Sequence, residues 1–477
     1  MSETPLHHRS IAELGRNFRD GGLSPVALTE HFLARLDRLE PRLKAFKLVC
    51  AERALAQAQA AESQLRAGID LGPLHGIPYA AKDLYDVAGL PTMAGTRLLE
   101  DNIAERDCST IARLTRAGMV LLGKTHTVQF AYGGAGVNHD HGTPHNPWSE
   151  IHCVPGGSSS GSGVAVAAGM APMALGTDTG GSVRIPAALN GVTGLKTTVG
   201  RIGRGGVYPL SASLDSVGPL ARTVEDAALI YTALQGEEPD DETTHGVKPV
   251  AVLGSLARGV TGLRLAIAEH TFFEDVDSEV EAAVRQAGRV LEGLGAKVER
   301  IPFTEAGEAA ALNPRGLVIA AEAYAVNRRF VDNHFDQLDP VVAHRIVQGR
   351  DITAADYLNI VQAWRELRAR MAVTFADVDA LLVPTTMIPA KPLAQVDQDI
   401  ESYSHHNVQY LRNTAIGNIL GLCGLSVPCG FSSDGMPIGL MIYGKPFDEA
   451  MVLRVGHAYQ QATGWHRKTP SLAWAGE

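Results

Sequence analysis

Little in this chain marks it for export or for a membrane. It holds only five cysteines in 477 residues (Cys50, Cys108, Cys153, Cys423 and Cys429), an odd number with no CxxC spacing. A disulfide-stapled scaffold is therefore excluded, and reduced thiols in a cytoplasm are the expectation. No apolar run approaches the roughly 20 residues that a membrane helix needs. The opening MSETPLHHRS also lacks the basic-then-apolar order of a secretory signal. Basic charge is not in excess: 42 Lys and Arg stand against 52 Asp and Glu, a net −10 spread along the chain. Free-standing nucleic-acid binding needs a clustered basic face, which is missing. There is no internal repeat and no low-complexity tract.

What is present is the composition of a soluble globular protein, 45% hydrophobic and 20% charged, long enough for a large core. The first seventy residues read as helices. Ser24-Pro25 is an N-cap with proline at the first helical position, and Val26, Leu28, Phe32, Leu33 and Leu36 follow at helical spacing. Ala51 to Leu65 predicts a second, alanine-rich helix, stopped by Ala67-Gly68. From Leu71 the texture changes to short apolar runs broken by Gly and Pro: GIPYAAKD, MVLLGKT at Met119–Thr125 and PMALGTD at Pro172–Asp178. Each reads as a buried strand joined to a helical stretch, the alternation of an α/β sheet protein. Arg264–Ala268 predicts a further strand, Ser278–Leu294 an amphipathic helix, and Leu425–Cys429 with Ile438–Tyr443 a strand pair across the turn Ser433-Asp434-Gly435. A helix is expected from about Asp448. The polar stretch Gly236–Lys248 is the best candidate for a boundary, yet strand-like runs of one style continue on both sides of it.

Chemistry concentrates in Pro155–Thr197, PGGSSSGSGVAVAAGMAPMALGTDTGGSVRIPAALNGVTGLKT, where two Gly/Ser-rich turns flank a small-residue helix and a short strand. Consecutive N–H groups at Thr179-Gly180-Gly181-Ser182 can converge on one point, as an oxyanion hole requires. Four mechanisms compete. Gly157 to Gly161 matches GxSxG, but the nucleophile elbow needs an apolar strand before it, and EIHCVPGG is not one. Gly118–Thr125 (GMVLLGKT) matches Walker A, yet its intervening MVLL is itself the strand, leaving no phosphate cradle. His139, His141, His145 and His152 crowd one segment with Asp140 and Cys153, but without HExxH or CxxC spacing. A structural or substrate-facing loop fits that segment better than a metal site. The fourth pairs the serine turns with Lys82, set amid apolar neighbours, where burial lowers a lysine's pKa and frees its amine as a base. A serine needs such a base to become a nucleophile. Taken alone, Lys82 reads rather as an ammonium that snorkels to solvent.

At this point the sequence resembles the amidase signature family. The resemblance runs from about Leu71 through Thr223 and returns at Asp379–Thr386 (DALLVPTT) and Asn413–Gly464. It rests on PGGSSSGS…GTDTGGSVRIPAALNGVTGLKTT. It implies a Ser–cis-Ser–Lys triad with Ser182 as nucleophile, Ser158 as bridge, Lys82 as base and a cis peptide at Gly157–Ser158. It further implies oxyanion donors at Thr179, Gly180, Gly181 and Ser182, with Asp178 and Arg184 supporting that loop. Ser160 stands where the family often has glycine. The implied fold is α/β, a large mixed central sheet covered on both faces by helices. One domain over 1–477 is expected: a helical segment (1–70) packed outside, a signature core (71–223), and the rest of the sheet with pocket helices (224–477).

The expected activity is hydrolysis of a small-molecule amide through an acyl-enzyme, with no metal or organic cofactor. Direct nucleic-acid and membrane partners are not expected, whereas a homodimer is a reasonable expectation. Two alternatives stay open: the glutaminase component of a tRNA-dependent amidotransferase, and a carbamate- or urea-type hydrolase of the same family. Gln129–Trp148 has the style of the glutaminase component, while Gly200–Pro219 looks more like the free-standing hydrolases. Pocket walls are expected from Tyr132, Gly133 and Gly134 and from Asn313–Tyr357.

Overall fold

The short apolar runs become strands of one eleven-stranded sheet in a computed structural model that describes residues 4–313 and 316–477. The first three residues of the opening stretch lie outside the described residues. In chain order the strands are β1 (Phe46–Val49), β2 (Pro78–Lys82), β3 (Val120–Thr125), β4 (Met173–Asp178), β5 (Thr193–Lys196) and β6 (Ser216–Ala221). They continue with β7 (Arg264–Ala268), β8 (Lys297–Ile301), β9 (Ala380–Pro384), β10 (Cys423–Phe431) and β11 (Pro437–Gly444). Across the sheet the order is β1-β3-β2-β4-β6-β5-β10-β11-β9-β7-β8. β2 runs parallel to both β3 and β4, and β7 parallel to both β8 and β9. The other joins are antiparallel, so the sheet is mixed.

β2, β3, β4 and β6 are buried along their whole length, because helices cover both faces of the sheet. That is why their sequences are continuous apolar or small-residue runs rather than alternating ones. The helix Ser160–Ala167 packs on β2 and β4, and the helix Arg184–Asn190 on β10 and β11. Helices Ser278–Gly293 and Glu449–Ala462 also pack on β10 and β11.

The helices expected near the N-terminus form at Pro25–Leu43, with the Ser24 side chain accepting from the Ala27 N–H, and at Ala51–Arg66. Between them the chain makes β1, an edge strand that the helical reading of the first seventy residues overlooked. Gly236–Lys248 is not a free linker. Asp241 pairs with Arg204 at 2.9 Å, Glu238 accepts from the Ser109 hydroxyl at 2.6 Å, and the strands on either side belong to the same sheet.

The Walker-like stretch is β3 itself. Lys124 turns inward and pairs with Asp83 at 2.9 Å, both side chains fully buried, so no phosphate cradle exists there. Gly123 marks a register shift between β2 and β3, and β1 crosses it closely. A Cβ on Gly123 would run into the carbonyl oxygen of Leu48. Backbone cannot yield as a side chain tip does, so Gly123→Ala should lower stability by about 1–3 kcal/mol, the usual cost of overpacking. Denaturant unfolding of the variant beside the parent protein checks this; equal midpoints would show that β1 can shift freely.

Candidate active site

Parallel pairing of β2 with β4 places their C-terminal ends side by side, with Ala81 opposite Leu175. Lys82 closes β2, and Thr177 and Asp178 close β4. The Lys82 side chain is completely buried, and its Nζ donates to Ser158 Oγ and to Thr177 Oγ1, both at 2.8 Å. Burial draws its pKa from the ordinary lysine range down to about 7, against the opposing pull of the Asp215 and Asp178 carboxylates. The snorkelling alternative is thereby removed.

Ser158 follows a cis peptide at Gly157–Ser158 and sits just before the helix Ser160–Ala167. The Ser159 N–H donates to the Ser182 carbonyl at 3.3 Å, tying the two serine turns together. Ser159 itself, the central residue of the GxSxG match, points its hydroxyl at the Thr177 carbonyl at 3.3 Å. No strand precedes it, so the elbow geometry is absent.

The turn Thr179-Gly180-Gly181-Ser182 leaves β4 with the carbonyls of Gly180, Gly181 and Ser182 already engaged. The Gly180 oxygen accepts from Thr414 Oγ1 at 2.6 Å, and the Gly181 oxygen from the Ile185 N–H at 2.7 Å. Among the described residues the N–H groups of Gly180, Gly181 and Ser182 donate to nothing. Gly181 has φ +140, and a Cβ there would strike Thr414 Oγ1, so only glycine fits. Asp178 and Arg184 hold the turn from behind through a fully buried pair, with Asp178 oxygens 2.9 Å from both Nε and a terminal nitrogen of Arg184. Burial pushes the Asp178 carboxyl up, but the Arg184 charge outweighs it and brings the pKa down to about 2. Arg184 also donates to the Tyr443 hydroxyl at 2.7 Å and to Asn418 at 2.6 Å.

Two participants carry no sequence signature. Thr177 is the second partner of Lys82. Asp215, from the loop before β6, accepts from the Thr179 hydroxyl at 2.5 Å and from the N–H groups of Leu210 and Ser211 at 2.9 and 3.0 Å. Their relation to Lys82 depends on strand register, which a single sequence does not display.

Ser182, Thr179 and Gly180 border a cavity of about 570 Å³. Tyr132 and Gly133 line it; Gly134 does not, and its N–H is tied to Asn407 at 2.7 Å. Asn313, Ile319, Arg345 and Gln348 line it from the stretch foreseen, of which residues 314 and 315 lie outside the described residues. Much of the remaining wall, including Asn407, Leu411, Arg412 and Ile416, comes from the helix Ile400–Ile419, which the sequence reading missed. Geometrically, the set combines a proton acceptor, hydroxyls and unpaired amides at a cavity edge, the parts that acyl transfer uses.

A family model described as Amidase matches residues 27–453. The chain is 41% identical over 463 residues to 2-amino-5-chloromuconic acid deaminase of Comamonas testosteroni, covering 96% of each chain. It is 38% identical over 493 residues to a Glutamyl-tRNA(Gln) amidotransferase component of Roseiflexus sp., covering 98% of this chain and 99% of that protein. Among solved structures, peptide amidase from Stenotrophomonas maltophilia superposes with a TM-score of 0.82 at 30% identity, over 97% of both chains. Fold and sequence together define an α/β enzyme that hydrolyses carbon–nitrogen bonds. The chain belongs to the Amidase family, and amide hydrolysis is its activity.

The histidine segment stands apart from the cavity: none of His139, His141, His145 and His152 lines it. His139 instead bridges two carboxylates, with Nδ1 3.0 Å from Asp339 and Nε2 2.8 Å from Asp397. Hydrogen bonds to Asp339 and Asp397 raise its pKa to about 10 despite partial burial. Because this lies above the free value, the clamp stabilises fully below about pH 6.5 and is lost as pH rises through about 10. His139→Ala should therefore lower Tm at neutral pH, with the gap to the parent closing above about pH 10. Thermal unfolding across that range checks it; a gap independent of pH would leave the loss to packing alone.

Proposed function

We propose that the chain hydrolyses a small-molecule amide through a serine acyl-enzyme in which Ser182 is the nucleophile, Ser158 the proton relay and Lys82 the base. The carrying observation is the Lys82 amine, wholly buried, held by two hydroxyls at 2.8 Å and drawn down to about 7. Neutral Lys82 takes a proton through Ser158 from Ser182, whose oxygen attacks the carbonyl carbon. The resulting oxyanion lies against the amides of Thr179, Gly180, Gly181 and Ser182. Collapse expels the amine, which receives the proton back through Ser158, and water then hydrolyses the ester by the same relay. Asp178 and Arg184 hold the oxyanion loop, and Tyr132 and Gly133 flank the acyl group. No step calls for a Lewis acid or an organic cofactor. The Comamonas testosteroni relative is named for action on 2-amino-5-chloromuconic acid, which supports a small-molecule substrate.

A second reading, a glutaminase passing ammonia to partner chains, is supported by the 38% identity to the Glutamyl-tRNA(Gln) amidotransferase component. It is opposed by the cavity wall, which among the described residues contains no Asp or Glu to receive the ammonium of glutamine. The proposal also takes 1–477 as one domain, with segments 1–70, 71–223 and 224–477, acting in the cytoplasm as a homodimer. The single sheet and five unpaired thiols support the first two points. No helix among the described residues is long and apolar enough to cross a membrane.

Ser182→Ala should abolish turnover and labelling by a fluorophosphonate, while Ser158→Ala should retain a small residue of activity, since one oxygen forms the covalent bond and the other only relays protons. Peptide mass spectrometry of the labelled protein checks the assignment; adduct on Ser159 would overturn it. For Lys82, only the neutral amine accepts a proton, so kcat/KM should rise with pH through about 7 and level off above it. Lys82→Arg should be as inactive as Lys82→Ala, because a guanidinium keeps its proton. A pH–rate profile on one amide tests both; a flat profile, or an active Lys82→Arg, would make Lys82 a structural charge.

A further inference from the structure

The cavity wall is chemically lopsided. Much of it is apolar, with Leu210, Ile319, Val408, Leu411, Ile416 and Ile419 among its residues. Among the described residues its permanent charges are the two arginines Arg345 and Arg412, and no carboxylate side chain lines it. Arg345 donates to the Tyr132 carbonyl at 2.7 Å and lies 3.9 Å over the Tyr132 ring, so its fork is fixed beside a residue that also borders the cavity. Arg412 donates through Nε to Asn413 Oδ1 at 3.1 Å and through one terminal nitrogen to the Phe272 carbonyl at 3.4 Å. Neither guanidinium forms an ion pair among the described residues; Glu274 and Asp275 act on Arg412 only through space. The contrast with Arg184 and Arg285 is direct, since each of those is neutralised by a carboxylate at 2.9 and 2.8 Å.

An uncompensated guanidinium beside a largely apolar cavity favours an anionic ligand, and its planar fork matches a carboxylate better than any other small organic anion except phosphate. The apolar walls and the absence of acids strengthen that preference and penalise an ammonium-bearing ligand, which would meet like charge and no carboxylate. We infer that the cavity takes amides whose acyl chain ends in a free carboxylate, half-amides of dicarboxylic acids, with Arg345 and Arg412 as the residues that select them. This rests on the proposed reading of Ser182 as the acyl acceptor at the cavity edge. It also separates substrate choice from the proton relay, because neither arginine touches Lys82, Ser158 or Ser182.

The test compares monoamides of glutaric, adipic and pimelic acid with alkyl amides of equal chain length and with glutamine. The best acid-amide should exceed its alkyl counterpart by at least about tenfold in kcat/KM, chiefly through KM. Arg412→Gln should shrink that ratio towards one, and Arg412→Lys, which keeps the charge and loses the fork, should fall between. Calorimetric binding of adipate to the parent protein and to Arg345→Lys and Arg412→Gln gives a readout that needs no turnover. Alkyl amides hydrolysed as well as acid-amides, a ratio unchanged in Arg412→Gln, or glutamine as the preferred substrate would each overturn the inference. Arginine-dependent binding of adipate without hydrolysis of any amide would support the subsite while refuting the acyl-transfer reading; hydrolysis indifferent to the carboxylate would do the reverse.

Discussion

An amine without a counter-ion, sealed at the end of a central strand, is an expensive thing to fold, and much of this architecture answers that cost. Three lysines are essentially fully buried, Lys82, Lys124 and Lys196, and their partners differ. Lys124 is neutralised by Asp83. Lys196 donates to the carbonyls of Thr197 and Leu422, and burial with the nearby Arg184 charge lowers its pKa to about 8. Only Lys82 is given hydroxyls alone. Asp83, its immediate neighbour in sequence, is turned away to Lys124, and the Asp215 and Asp178 carboxylates act on Lys82 only through space. A proton on Lys82 is therefore easily lost, and the groups best placed to exchange it are the two hydroxyls that hold it.

The rest of the site follows from keeping that arrangement rigid. Parallel pairing of β2 with β4 sets Lys82 against Thr177, and the buried helix Ser160–Ala167 fixes where the Ser158 turn enters. The Asp178–Arg184 pair braces the glycine turn at the end of β4. Breaking such a buried pair by removing one partner typically costs about 3–5 kcal/mol, because the remaining charge has no water to turn to. The pair thus serves the turn structurally, and neither of its members lines the cavity.

Much of this was legible before any coordinates. The runs PYAAK and MALGTD are too uniformly small and apolar to be half-exposed, so their place in the middle of a covered sheet followed from composition. The glycine–serine turns were visible because strained, closely approached backbone demands those residues. Other parts were not. Phe46–Val49 is four residues between two strong helices, and its pairing with β3 is a tertiary fact that local preference cannot report. Thr177 and Asp215 look like ordinary polar residues until register and loop path bring them to Lys82 and Thr179. The helix Ile400–Ile419 mixes His, Asn, Arg and aliphatic residues on all sides, since it faces solvent, core and cavity at once, and so shows no clean amphipathic stripe.

The proposed chemical groups lie between Lys82 and Asp215, whereas most of the cavity wall is supplied by residues 310–419. The two stretches meet across the sheet but are written in separate parts of the chain. Substitutions in the second stretch can therefore change which acyl groups the cavity admits while leaving the proposed relay untouched, so that preference and reactivity are set by separate lengths of sequence.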